Sequence, residues 1–187
     1  MPVKVELRDL DSIQRAANAV AEVNLLVNNA AMLTRGNLLE TDGLERLQAE
    51  WEVNVRGNLA VVRALAPKLL ASGDAAIIQV NSIAALCPFA DVPGYAATKA
   101  AALSLTQALR REFAPHGIPV FSVLPGPLAT DMAAWLETAK EDPRHVAATV
   151  LTAVLRGEPQ EIFPDEGARQ FFDRFRAEPA ATIFFRA

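Results

Sequence analysis

The chain has 187 residues, 51% of them apolar, with a net charge of −4 and a pI near 5.3. That is enough apolar material for a sizeable core and excludes a disordered chain, while the acidic balance and scattered Lys and Arg exclude a nucleic-acid footprint. Cys87 is the single cysteine and His116 and His145 lie far apart, so the residues offer neither a disulfide framework nor a metal set.

The elements follow in chain order. Val3–Leu7 has the β-branched alternation of a strand. Asp11 with Gln14 resembles a capping box opening a helix to about Glu22. Asn24–Asn28, "NLLVN", predicts a buried strand, and Thr41 and Asp42 open a long helical pattern to about Ala71. Ala75–Asn81 is a second buried strand, and Tyr95–Phe113 a helix stopped by Pro115 and Gly117. Val120–Leu124 is a third buried strand, ended by "PGP". Pro143–Leu155 is a helix with Gly157 at its end. Glu161–Phe163 reads as a short strand and Gly167–Arg176 as a terminal helix. The first ten residues hold no apolar stretch of signal-peptide length. The most apolar helical run is broken by Arg63, Pro67 and Lys68, so no membrane span and a cytoplasmic location are expected.

Strands alternating with helices predict right-handed βαβ units and a parallel α/β sheet covered on both faces. In such a sheet, function sits beyond the carboxyl ends of the strands. Those ends are "NNAA" (28–31), "NSIAA" (81–85) and "PGPLAT" (125–130), which converge on one rim. Tyr95, the only tyrosine, and Lys99 lie one helical turn apart on one face. A nearby ammonium favours the phenolate and would lower the phenol's pKa, giving a usable acid or base. Alone, such a pair arises by chance. Ser82 strengthens it, because it ends a strand aimed at the same rim. Asn54 is a further candidate, since Asn is a poor mid-helix residue and something local must compensate it. The bland alternatives are a loop hydroxyl for Ser82 and a helix-surface amide for Asn54.

On these residues the chain resembles the short-chain dehydrogenase/reductase family. The matching motifs are "LLVNNAA" (25–31), "VNVRG" (53–57), Ser82 with Tyr95-x-x-x-Lys99 thirteen residues on, and "PGPLAT". Ala31 stands where the family usually has Gly. The resemblance implies a Rossmann-like doubly wound parallel sheet, with strands corresponding to the family's third to seventh. It implies that Tyr95 exchanges a proton with the substrate oxygen and that Lys99 tunes Tyr95 and binds the nicotinamide ribose. Ser82 would orient the carbonyl, and Asn54 would hold a relay water. Asn28, Ala30, Pro125, Leu128 and Thr130, with Tyr95 and Lys99, would line NAD or NADP, without a stated preference between the two. A homodimer or homotetramer follows by the same resemblance. Leu86, Phe89, Val92, Met132 and Trp135 flank the rim and suggest a small, mainly apolar carbonyl or alcohol substrate; core or lid packing is the alternative for each.

The family's opening strand, glycine-rich turn, helix and second strand have no counterpart in this sequence. Its nine glycines are never closer than seven residues, so no phosphate-cradling motif exists. The expectation is a single, N-terminally truncated domain over residues 1–187. Loss of two or three charge-assisted hydrogen bonds, roughly 3–9 kcal/mol, would weaken cofactor binding by about 10² to 10⁶. Glu6 or Asp9 could meet the adenine end, although a solvated strand-end charge is favoured for both. Without the missing strands, Asn24–Val27 becomes a sheet edge. Either Val3–Leu7 slides over to pair with it or two chains pair across it; a loose segment is the third possibility. The function expected is a carbonyl–alcohol oxidoreductase with weakened cofactor use. The alternative is an inactive remnant serving as a binding or assembly module.

Overall fold

The computed structural model describes residues 2–157 and 160–179. Four parallel strands form one sheet in sequence order: β1 (Leu25–Asn28), β2 (Ala76–Val80), β3 (Val120–Val123) and β4 (Glu161–Ile162). The helices are α1 (Leu10–Ala19), α2 (Gly43–Trp51), α3 (Asn58–Ser72), α4 (Pro93–Phe113), α5 (Pro143–Arg156) and α6 (Glu166–Ala177). Parallel neighbours need crossovers. The α2–α3 run links β1 to β2, α4 links β2 to β3, and α5 links β3 to β4.

Alternation along the strands builds a core on each face. Leu26, Ile77 and Val120 meet Val62 and Leu69 of α3 and Leu109 and Phe113 of α4. On the opposite face Ile78, Phe121, Val123 and Ile162 meet Val146, Val150 and Ala153 of α5. That second cover reaches β2 to β4 but leaves β1 bare, so Leu25 and Val27 are 42% and 48% exposed.

The structure corrects the sequence reading at three places. Val3–Leu7 is not a strand and does not pair with β1. Its Glu6 N–H is taken by Ser12 Oγ at 2.9 Å, and Leu7 lies so close to Gly57 that a Cβ there would stand 2.6 Å from the Leu7 carbonyl oxygen. The segment is held beside α1 and the helical layer, and the described strands are four instead of five. Second, Asp9 rather than Asp11 caps α1, accepting the Asp11 N–H at 2.9 Å; Gln14 bonds Asn18 instead of closing a capping box. Third, the long helix expected to reach Ala71 is interrupted. A six-residue π segment, Glu52–Gly57, separates α2 from α3. It inserts the extra residue that such segments carry and turns Asn54 inward.

Candidate active site

The carboxyl ends of β1, β2 and β3 run into the three rim segments, as parallel strands require. At the end of β2, Ser82 accepts the Ala84 N–H at 3.1 Å and caps a one-turn helix over Ile83–Ala85. Its hydroxyl also lies close enough to the Tyr95 phenol to favour the phenolate. Lys99 lies 5.6 Å from the centre of the Tyr95 ring, and its Nζ donates to the Val80 carbonyl at 2.8 Å. The structure thus brings Ser82, Tyr95 and Lys99 together.

Their electrostatics depart from expectation. Burial pushes the Tyr95 phenol up to about 12; the Ser82 hydrogen bond opposes this, and the charge of Glu50 adds to it. The lowering expected from Lys99 does not appear: the low-dielectric surroundings disfavour the phenolate, and the pull the other way comes from Ser82. The same burial brings Lys99 down to about 8.

Asn54 has its local compensation. Its Oδ1 accepts the Met32 N–H at 2.7 Å, and its Nδ2 donates to the Met32 carbonyl at 2.8 Å and to Thr98 Oγ1 at 3.0 Å. Both amide hydrogens are therefore committed to protein. A cavity of about 20 Å³ lies among Asn28, Asn54, Asn81 and Lys99, large enough for one water.

Asn54 is the middle of a three-rung ladder. Asn58 Nδ2 donates to the Ala30 carbonyl at 3.2 Å, and Glu50 Oε1 accepts both the N–H and the hydroxyl of Thr34 at 2.6 and 2.8 Å. Residues 50, 54 and 58, four apart on the helix, grip residues 34, 32 and 30, two apart along the rim. The match is geometric: four helical residues rise about 6 Å, close to two residues of extended chain at about 3.3 Å each. The upper two rungs reach α4 as well, through Gly94 beside Glu50 and Thr98 beside Asn54. Thr98 Oγ1 closes back on the Tyr95 carbonyl at 2.8 Å.

The residues expected to line a cofactor are placed as follows. Asn28 is buried and donates Nδ2 to the Asn58 carbonyl at 3.1 Å. Ala30 offers its carbonyl to Asn58, and the Pro125 carbonyl accepts the Ile83 N–H at 3.2 Å. Leu128 forms a bridge with Glu141, and Thr130 is exposed at the start of a turn over Asp131–Ala133. Sequence reasoning missed Asp165, which is buried and accepts the Gly126 N–H at 2.9 Å and the Ala168 N–H at 2.7 Å. It fixes "PGPLAT" to α6. Only its place two residues after a short strand could have flagged it as a cap. Glu6 is engaged by Arg8 and Asp9 caps α1, so both carboxylates have local work. Among the apolar rim candidates, Val92 is buried at the start of α4 and Phe89 packs on Phe171 at 5.8 Å. Met132 is exposed, and Trp135 carries the Arg35 guanidinium at 4.3 Å, a cation beside the rim that the sequence reading did not foresee. A groove of about 560 Å³ between α5, β4 and α6, lined by His145, Phe163 and Arg169, holds none of the predicted site residues.

Among the described residues, no helix is long and apolar enough to cross a membrane, and no group of three or more His, Cys, Asp or Glu could hold a metal ion. The residues present suit the nicotinamide half of a dinucleotide. Two neutral hydroxyls and a buried amine meet at one rim, and none of the described glycines forms a phosphate-cradling turn beside them.

Ser82, Tyr95 and Lys99 stand at the carboxyl rim of a parallel sheet with helices on its faces, a Rossmann-like α/β architecture. The family model for short chain dehydrogenases matches residues 1–141. A short chain dehydrogenase of Monascus purpureus is 36% identical over 124 residues, 66% of this chain and 42% of that protein. A trans-4-hydroxycyclohexanecarboxylate dehydrogenase of Sinomonas cyclohexanicum is 33% identical over 139 residues, 72% of this chain and 53% of that protein. The chain thus spans about half the length of these relatives or less. A crystal structure of a short chain dehydrogenase from Burkholderia cenocepacia, in complex with NADP, superposes with a TM-score of 0.91 at 35% identity, covering 97% of this chain and 76% of that one. The chain belongs to the short-chain dehydrogenase family.

Proposed function

We propose that this chain carries the proton-transfer half of an NAD(P)-dependent oxidoreductase that interconverts a small carbonyl compound and its alcohol. The observation that carries this reading is the placing of Lys99 Nζ 5.6 Å from the Tyr95 ring centre, with Ser82 close enough to the phenol to act on its pKa. A nicotinamide dinucleotide, when bound, supplies or accepts the hydride. The chain's residues handle the oxygen. Ser82 and Tyr95 donate hydrogen bonds to the carbonyl, which polarises it and stabilises the negative charge that develops as its carbon gains hydride. The Tyr95 proton then passes to that oxygen. A phenol held near 12 by burial is a proton donor at neutral pH, which favours the reducing direction. Lys99, brought to about 8, can take up and release a proton near physiological pH and so recharge Tyr95. The cavity beside its Nζ supports a single water linking it to Asn54, whose side chain is otherwise committed to the rim. Asn28, Ala30, Pro125, Leu128 and Thr130 would border the nicotinamide, and Lys99 its ribose. An apolar substrate is supported by Met132, Phe89 and the Trp135 ring near the rim.

The test is isothermal titration with NAD(H) and NADP(H), alongside carbonyl reduction by wild type and Tyr95→Phe. Binding, with turnover lost in Tyr95→Phe by about 10²-fold or more, is the expected result. Absence of binding at millimolar cofactor sinks the dehydrogenase reading for this chain. A second reading, a binding or assembly module, is favoured by one observation: the open edge of β1 with Leu25 and Val27 exposed.

A further inference from the structure

Asp165 is the N-cap of α6, yet it is only 5% exposed, and aspartates are mostly surface residues. Its Oδ1 caps the helix, accepting the Ala168 N–H at 2.7 Å. Its Oδ2 turns away from the helix and accepts the Gly126 N–H at 2.9 Å, in the segment that follows β3. Space requires glycine there: a Cβ on Gly126 would stand 3.0 Å from Oδ1 and 3.7 Å from the Ala168 nitrogen. The Gly126 N–H belongs to the same peptide unit as the Pro125 carbonyl, and that carbonyl accepts the Ile83 N–H at 3.2 Å. Ile83 opens the one-turn helix that Ser82 caps through the Ala84 N–H. Ser82 is therefore bracketed by two backbone bonds, Asn81 to Val123 at 2.8 Å and Ile83 to Pro125. The first is secured by β3, which ends at Val123; the second depends on a peptide beyond the strand. A further contact runs from α6 in the same direction, Phe171 against Phe89 in the loop after the Ser82 turn.

We propose that Asp165 is a positioning residue for Ser82: it holds the Pro125–Gly126 peptide by its N–H, so that the carbonyl on the opposite edge fixes the turn that presents the Ser82 hydroxyl. The inference rests on the proposed role of Ser82 in orienting the substrate carbonyl. A trans peptide is planar, with N–H and C=O on opposite edges, so a bond at one edge sets the aim of the other. The residue type follows from the two tasks. Capping α6 and holding Gly126 need two acceptor oxygens that point apart. Ser, Thr and Asn can cap a helix, but each brings a single side-chain oxygen; the aspartate carboxyl brings two. Through this relay α6 reaches the carbonyl-orienting group of the site without touching substrate.

Asp165→Asn is the test, because Asn caps a helix as well as Asp does but has one oxygen for the two N–H groups. Amide hydrogen exchange reads the relay without cofactor or turnover. The Ile83 and Ala84 amides should exchange faster by about fivefold or more, while Ile77 and Ile78 in the body of β2 keep their wild-type rates. Unchanged rates at Ile83 and Ala84 overturn the proposal. An equal acceleration at all four positions also overturns it, since that is a general loss of stability. In carbonyl reduction, Asp165→Asn should lower kcat by about fivefold or more in wild type and by less than about twofold in a Ser82→Ala background. A residue that acts through Ser82 has nothing to act on once that hydroxyl is gone, so an equal loss in both backgrounds overturns the proposal. If Asp165→Asn does not fold, Gly126→Ala serves, because its methyl crowds Oδ1 and forces the peptide and the carboxyl apart. The same results are expected there, and the same outcomes overturn it. Failure of the functional reading looks different: wild type would lack turnover while Ile83 exchange still responded to Asp165→Asn.

Discussion

Tyr95 and Lys99 sit one turn apart on α4, and burial moves them in opposite senses, the phenol up to about 12 and the amine down to about 8. Both shifts have consequences for stability. For Lys99, the unfolded chain holds a proton up to its ordinary value of 10.5 while the folded protein releases it near 8. The unfolded state then binds more protons, so this contribution to stability rises as pH climbs from 8 to 10.5. For Tyr95 the sign is reversed. The folded protein keeps a proton that the unfolded chain loses near 10, so stability present below pH 10 is lost as pH rises from 10 through 12. The two together place a local maximum near pH 10. Urea midpoints measured across pH 8 to 12 should lose the rise in Lys99→Met and the fall in Tyr95→Phe. Identical pH curves for wild type and both variants would contradict the burial assigned to the pair.

At the scale of elements, the ladder of Glu50, Asn54 and Asn58 joins the helical layer to the rim, and the π segment sets its middle rung. Asn54→Ala strands the Met32 N–H and carbonyl and removes a donor to Thr98. At about 1–3 kcal/mol for each of the two groups left unpaired, a loss of roughly 2–6 kcal/mol is expected, toward the lower end because Met32 is half-buried, read as a fall in the urea midpoint. A loss within about 0.5 kcal/mol would mean that water replaces the amide and that the rung is not structural. Asn54 was legible in the sequence because an amide inside a helix is an anomaly that demands a partner. Glu50 was not, since a Glu four residues earlier, in a stretch rich in Glu and Gln, reads as a solvated face. The signal was the polar residue every fourth position, 50, 54 and 58, which only the rim's spacing explains. The buried strands and long helices were legible from their apolar runs and their Pro and Gly stops. Val3–Leu7 was misread because β-branched alternation shows that a segment fits a pleated surface. It does not show that a strand edge is within reach, and here Ser12 and Gly57 hold the segment elsewhere. Ser82 and Tyr95, thirteen residues apart, were united by the rim that a parallel sheet places beyond its strand ends and then by the family resemblance, not by periodicity, because strand and helix periods carry no information across a loop.

At the scale of the whole molecule, β1 is the unsolved edge. It pairs only with β2, its other side has no partner among the described residues, and α5 leaves Leu25 and Val27 uncovered on one face. An exposed apolar edge is a template for pairing with another chain, and charge on such a strand suppresses it. With the Val3–Leu7 strand gone, two of the three outcomes expected for this edge are left, a loose segment and association of two copies across β1, and the exposed apolar side chains favour association. Sedimentation of the wild-type chain should therefore show mass rising with concentration, and Val27→Lys should return it to the monomer. Val27 is half-exposed and makes no buried contact in either core cluster, so the substitution should change the urea midpoint by no more than about 0.5 kcal/mol. Monomeric wild type at high concentration would rule out the edge as an assembly surface. A dimer that persists in Val27→Lys would instead place the contact on another face, and the assembly reading would lose the observation that favours it.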